Sequence, residues 1–235
     1  MKGEIPLSNF VDKLYINFIK DDRWRYLVRG LGVTLRVTFF AVLIGVIIGF
    51  LIAIIRSTHD KTGKFKIANI VCNIYITVIR GTPVLVQLLI IYFVVFQSVN
   101  IDKIFVAIIA FGMNSGAYVA EIVRSGIMAV DNGQFEAGRS LGFNYNQTMK
   151  IIILPQAIKN ILPALANEFI VLLKETSVAS VIALEDLTKG ADIIKSQTFD
   201  VFYPLIAVAL IYLALVVLLT KLVNYFERRL RNSDH

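Results

Sequence analysis

The sequence has one cysteine, Cys72, and two histidines in 235 residues. A single thiol closes no internal disulfide, and so few soft ligands form no metal cluster. Cys72 lies in an apolar run and reads as a packing residue. Charge is scarce as well: 17% of residues are charged against 57% hydrophobic, with a mean hydropathy of +0.70. A soluble domain of this length has no use for so much apolar surface. The opening MKGEIPLSNFVDKLYINFIKDD lacks the unbroken apolar core of a secretory signal peptide. No GxxxxGK[ST] phosphate loop is present: Gly63-Lys64 is followed by Phe65, so nothing here cradles a nucleotide. The net charge of +7 does not argue for nucleic acid, because Lys and Arg gather at the ends of apolar runs, as in cytoplasmic loops of membrane proteins.

What is there is a series of long apolar runs, each near the roughly 20 residues that a membrane helix needs. They do not alternate with the short period of barrel strands. The pattern predicts an all-α integral membrane protein with five spans, over about 31–55, 67–97, 104–128, 151–176 and 201–226. The second is interrupted by Arg80-Gly81-Thr82-Pro83, where proline removes a backbone donor and predicts a break lining protein or a water-filled cavity. Gly45 and Gly49 form a GxxxG pair that lets a second helix approach. Residues 1–29 read as an interfacial segment, with Phe10, Leu14 and Phe18 at four-residue spacing; 30–228 form the transmembrane domain and 229–235 a cytoplasmic tail. The basic loop 56–66 and the basic C-terminal end lie on one side of a five-span chain, which predicts a cytoplasmic C-terminus and an outside N-terminus.

A polar stretch, GQFEAGRSLGF (133–143), stands between spans three and four, on the same side as the basic loop. Asp131 or Asn132 can cap a short helix there, and Gly142 can end it in the left-handed conformation. Such a helix suits docking into a groove on a partner; a solvated connector is the plainer alternative.

The run Glu136-Ala137-Gly138, three residues, Gly142, nine residues, Ile152, one residue, Leu154-Pro155 resembles the cytoplasmic signature of permeases of ABC importers, with Gly138 where alanine is usual. RGTPVLVQL (80–88), GAYVAEIVRSGI (116–127), LPQA (154–157) and LPALANEFIVLLKETS (162–177) are similar to the branch that takes up polar amino acids. The resemblance implies the type I importer permease fold. It makes Glu136, Ala137, Gly138 and Gly142 the surface of a coupling helix seated in a separate ATP-binding cassette ATPase. It further implies an extracytoplasmic solute-binding protein and a second permease chain, identical or merely similar. ATP and Mg would belong to the ATPase, with no cofactor on this chain, which is then not itself an enzyme.

Ionisable groups inside a membrane are expensive and mark pathways. Asn114, Tyr118, Glu121 and Ser125 share one stripe of span three. Asn167 and Glu168 lie near the middle of span four; Gln87 and the break at Arg80, Gly81, Thr82 and Pro83 shape a cavity or gate in span two. Glu121 can take an ammonium group or pair with Arg124; Glu168 can take one or bond another helix; Arg80 can meet a carboxylate or neutralise Glu121 or Glu168. Two carboxylates point to a substrate with a positive group, on a basic side chain or at the α-amino position common to all amino acids. The rival readings are an ion-coupled secondary amino-acid transporter, in which these carboxylates carry protons or sodium, and a channel or membrane anchor without transport.

Overall fold

Helix α5 (Lys103–Met128) organises the molecule, and it starts where Asp102 turns its carboxylate onto the amide of Ile104, at 2.8 Å. Of the apolar spans α5 is the most enclosed, with 72% of its apolar window buried, so side chains on every face of it meet protein. This computed structural model describes residues 7–231. Around α5 stand α1 (Leu7–Leu14), α2 (Trp24–Thr62), α3 (Lys66–Gly81), α4 (Val84–Ile90), α6 (Asn132–Ser140), α7 (Tyr145–Thr148), α8 (Leu154–Glu175), α9 (Leu187–Thr198) and α10 (Phe202–Arg231). A π-helical turn over Met149–Ile153 joins α7 to α8, and a 3-10 turn over Thr176–Ile182 prolongs it, so the chain is helical throughout Tyr145–Ile182.

The closest helix pair is α2 with α5, and small residues make it so. A Cβ on Gly45 would lie 2.7 Å from Ser115, and one on Gly49 2.5 Å from Val119. From the other side, Gly112 and Gly116 receive Ile44 and Ile48, each at 2.8 Å from the Cβ it would carry. Each helix thus supplies glycines to the other, and the dispersion contacts of close backbones replace the hydrophobic drive that lipid does not provide. The GxxxG pair in α2 is half of a reciprocal interface. At the other extreme, only 11% of the apolar window of α10 is buried. Leu210, Leu213, Val217, Leu218 and Leu222 are exposed on it, an apolar surface suited to lipid.

Four helices are long and apolar enough to span a membrane, and five spans result when the bent pair Lys66–Gly81 with Val84–Val95 is taken as one. The expected break is real: the two halves meet at 110°. Two expectations are corrected. The helix of the first span begins at Trp24, ahead of the apolar run at about 31–55, and the four-residue spacing before it does not extend into one regular helix. That segment runs over Leu7–Leu14 and a π-helical turn to Ile19, then breaks at Lys20–Asp22, where Asp21 and Asp22 take φ of 56° and 54°. Second, most of the basic loop at 56–66 is helix, because α2 continues to Thr62 and stops at Gly63 in the left-handed conformation. Beyond these expectations, the link between α8 and α10 holds a further helix, α9, capped by Asp186. Its 12 residues pack on α2: a Cβ at Gly190 would lie 2.7 Å from the Tyr26 carbonyl oxygen.

Candidate substrate pathway and coupling helix

The break in span two exposes carbonyls that a continuous helix would have bonded. Gln87 answers them. Its side-chain amide nitrogen donates towards Ile79 O at 2.8 Å, Thr82 Oγ1 at 2.8 Å and Thr82 O at 3.0 Å. Its Oε1 accepts from Asn114 Nδ2 at 3.0 Å, which ties the break to the middle of α5. Gln87 is 8% exposed and Asn114 3%, so both amides act as braces within the bundle. Gly81, Thr82 and Pro83 are exposed around the elbow, and Thr82 Oγ1 donates back to Val78 O at 2.8 Å. Arg80, exposed, holds its guanidinium 5.3 Å from the centre of the Tyr118 ring, a cation–π contact, and meets neither Glu121 nor Glu168 in an ion pair.

The two carboxylates differ. Glu121 is bound twice. Its Oε1 accepts from Arg56 Nη1 at 2.5 Å, across to α2, and its Oε2 accepts from Arg124 Nε and Nη2 at 3.1 and 3.0 Å. Its pairing with Arg124, one of the two roles open to it in the sequence, is formed in the structure. Arg56 is a partner that sequence reasoning missed, although its place at the end of an apolar run was a signal. Glu168 is 8% exposed, and its Oε1 accepts from Ser115 Oγ at 3.0 Å. Among the described residues no Lys or Arg forms an ion pair with it. Ser115 was also missed, hidden among small residues beside Asn114. Because Ser115 lies at the middle of α5, Glu168 sits at mid-depth in the bundle. Asn167, next to it, is exposed on the surface of α8. Ser125 bonds its own helix, to Glu121 O at 2.8 Å and Ile122 O at 3.1 Å, and lies apart from this centre.

The polar stretch folds as expected into a short helix, α6. Asp131 Oδ1 accepts from Gly133 N at 2.6 Å to cap it, and Gly142 leaves it at φ +82°. Glu136 and Ala137 are exposed, whereas Gly138 is buried. A Cβ on Gly138 would lie 2.6 Å from Thr148 Cγ2 and 3.1 Å from Ile152 Cδ1. Glycine at this position thus lets α6 seat on α7 and the turn leading into α8. Asn144 and Gln147 then form a capping box for α7, at 3.0 and 2.9 Å. Phe135 stacks on Tyr145, centroids 6.2 Å apart, as a second fastening.

A helical bundle with one elbowed span, a buried polar centre and a short exposed helix fastened to a spanning helix is the architecture of a type I ABC importer permease. The family described as binding-protein-dependent transport system inner membrane component matches residues 41–232. A putative glutamine transport system permease protein, GlnP, of Rickettsia prowazekii is 41% identical over 207 residues, 87% of this chain and 93% of that protein. The arginine transport system permease protein ArtQ of Bacillus subtilis is 39% identical over 211 residues, 89% of this chain and 94% of that protein. Among solved structures, an amino acid ABC transporter crystallised with histidines is 50% identical, with a TM-score of 0.83, covering 87% of this chain and 94% of that one. The MetNI methionine ABC transporter, in an inward-facing conformation, shares the fold at a TM-score of 0.73 and 20% identity, over 87% of this chain and 96% of that one.

The chain therefore belongs to the family of binding-protein-dependent transport system inner membrane components. It is the permease subunit of an ABC importer, and ATP hydrolysis resides on a separate subunit. The ion-coupled reading finds no support.

Proposed function

We propose that this permease moves polar amino acids inward across the cytoplasmic membrane, and that Glu168 receives the substrate's positive group. One observation carries the reading: a carboxylate buried midway along the helical bundle, with a serine hydroxyl for company and no cation of its own among the described residues. Such a charge is costly unless something pairs with it. In this reading Arg80, whose guanidinium lies over the ring of Tyr118, takes the substrate's α-carboxylate. A zwitterion then fits where a simple amine does not. The relatives named for glutamine, arginine and histidines agree with an amino acid and leave the side chain open. With Glu121 already neutralised twice, Glu168 is the carboxylate left to meet a substrate, which suits the α-amino group of any amino acid as well as a basic side chain.

The rest follows from the family. Two permease chains, identical or similar, form the pathway, and an extracytoplasmic solute-binding protein delivers substrate. An ATP-binding cassette ATPase, holding ATP and Mg, docks on α6 through Glu136 and Ala137. Gly138 and Gly142 shape and seat that helix. The C-terminus is then cytoplasmic and the N-terminus outside, with the exposed apolar residues Phe10, Tyr15 and Ile19 of the first segment resting in lipid. The test is ATP-driven uptake in proteoliposomes containing the permease, its co-purified ATPase and its binding protein. Uptake of amino acids but not of the matching decarboxylated amines is expected. Equal uptake of both would sink the zwitterion reading, and uptake driven by an ion gradient without ATP would sink the importer.

A further inference from the structure

A groove of about 530 Å³ runs between α8 and α10, within the roughly 300–1,000 Å³ of small-molecule sites. Its walls are apolar, from Leu162, Pro163 and Ala166 on α8 and Val223 and Phe226 on α10. Pro163 and Ala166 are short, which leaves room beside the ring of Phe226. Leu162 and Phe226 are 46% and 58% exposed, so the groove opens to the surroundings of the bundle. At about 100° of turn per residue, Leu162, Pro163 and Ala166 fall on the side of α8 opposite Ile161 and Glu168, which meet α5. The groove is therefore separate from the Glu168 carboxylate.

Two charged residues complete the lining, Glu227 and Arg229. The helical period sets them about 160° apart on α10, with Val223 and Phe226 between them. One apolar face thus carries an anion on one edge and a cation on the other. Residues two apart on a helix do not face each other, and neither charge forms a hydrogen bond or ion pair among the described residues. Arg228 falls on the other side of the helix and lies outside the groove.

We propose that this groove holds one phospholipid with an ethanolamine headgroup. An acyl chain lies along Leu162, Ala166, Val223 and Phe226, the phosphate meets Arg229, and the ammonium meets Glu227. The chain alone gives no selectivity, because the surrounding lipid is as apolar as the groove. Choice of lipid falls to the two charges. Basic pockets between membrane helices take phosphate headgroups, and the guanidinium fork matches phosphate oxygens. A headgroup with phosphate alone would leave Glu227 beside a second anion. A choline nitrogen carries no N–H to donate, whereas an ethanolamine ammonium offers a carboxylate three donors, as a lysine does. A lipid seated there fills the space between α10 and the helix that leads from the α6 end to Glu168.

Native mass spectrometry of the detergent-solubilised permease with its co-purified ATPase tests the site. The complex is offered equal amounts of phosphatidylethanolamine, phosphatidylcholine and phosphatidylglycerol with the same acyl chains. Phosphatidylethanolamine should be retained over the other two. Arg229→Gln should cut its retention about fivefold, the scale of one cation near a lipid phosphate. Glu227→Gln should leave phosphatidylethanolamine and phosphatidylglycerol retained alike. Ala166→Leu fills the groove and should weaken retention of all three, while Arg228→Gln should change nothing. Equal retention of the three lipids by the unaltered complex overturns the proposal. So does an equal loss in Arg228→Gln and Arg229→Gln, which would mean general attraction to a basic helix end. Cross-linking of two permease chains through Phe226→Cys in native membranes would show a second copy covering the groove, and would overturn it too. Should Ala166→Leu fail to assemble, the variants at Glu227 and Arg229, which lie at the edges of the groove, still decide.

Discussion

Glu121 and Glu168 are both carboxylates set into the helical bundle, on α5 and α8, and their surroundings differ in kind. Glu121 has two arginines and four-fifths burial of its side chain; its charge is spent within the chain, joining α2 to α5 near the end that bears α6. Glu168 has one serine, deeper burial and, among the described residues, no cation. A residue type that is costly inside a membrane therefore has two settings here: one carboxylate fastens helices, and the other has only a serine hydroxyl for a partner. Sequence position alone does not separate them. The neighbours do.

The comparison is most easily broken at Glu168. Glu168→Gln should cut uptake roughly 10- to 100-fold, the scale of one hydrogen bond to a charged group, with the melting temperature nearly unchanged. Glu121→Gln should do the reverse. It leaves Arg56 and Arg124 facing each other, destabilises the permease by about 1–3 kcal/mol, and lowers transport capacity with little change in the substrate's KM. Equal KM effects in the two variants would erase the distinction.

A smaller effect sharpens it from the α6 end. Gly138→Ala forces a methyl onto Thr148 and should cost about 1–2 kcal/mol, read as weaker co-purification of the ATPase. Adding Thr148→Ala should restore it. Failure of the rescue would place the fault in helix propensity or in the partner's groove. The least effect is expected outside the spans. Burial alone would raise the Asp200 carboxyl, but Lys13 Nζ, the Tyr203 amide and Asn17 Nδ2 outweigh it and hold it below the usual range. A depressed carboxylate gives stability that is full above its unfolded value, about 3.9. That stability fades as pH falls further, through the folded value. Hydrogen exchange in α1 should therefore rise only in acid, and no such rise should remain in Asp200→Asn.

The spans, the elbow before Pro83 and the cap of α6 were all legible, because each rests on local rules: run length, a missing donor, a carboxylate ahead of free amides. Helix α9 was not legible. Its residues, LTKGADIIKSQT, are half polar, and they are helical because Asp186 caps them and Gly30 and Gly190 let them lie on α2, contacts far apart in sequence. The site was half legible for the same reason. The polar stripe on α5 could be read, but the facts that divide it, Arg56 reaching Glu121 from 65 residues away and Ser115 reaching Glu168 from 53, depend on the tertiary crossing of helices.

One such crossing has a mechanical meaning. Gly126 admits Ile161 so closely that a Cβ there would lie 2.3 Å from it, so α5 and α8 meet closely here. Taken as a fulcrum, it divides the continuous helix unequally. From Ile161 to Tyr145, at the docking end, is about 24 Å of helix, and from Ile161 to Glu168 about 10 Å. Such a beam is geared down. A displacement at the α6 end of a rigid helix so divided would reach the level of Glu168 at less than half its travel.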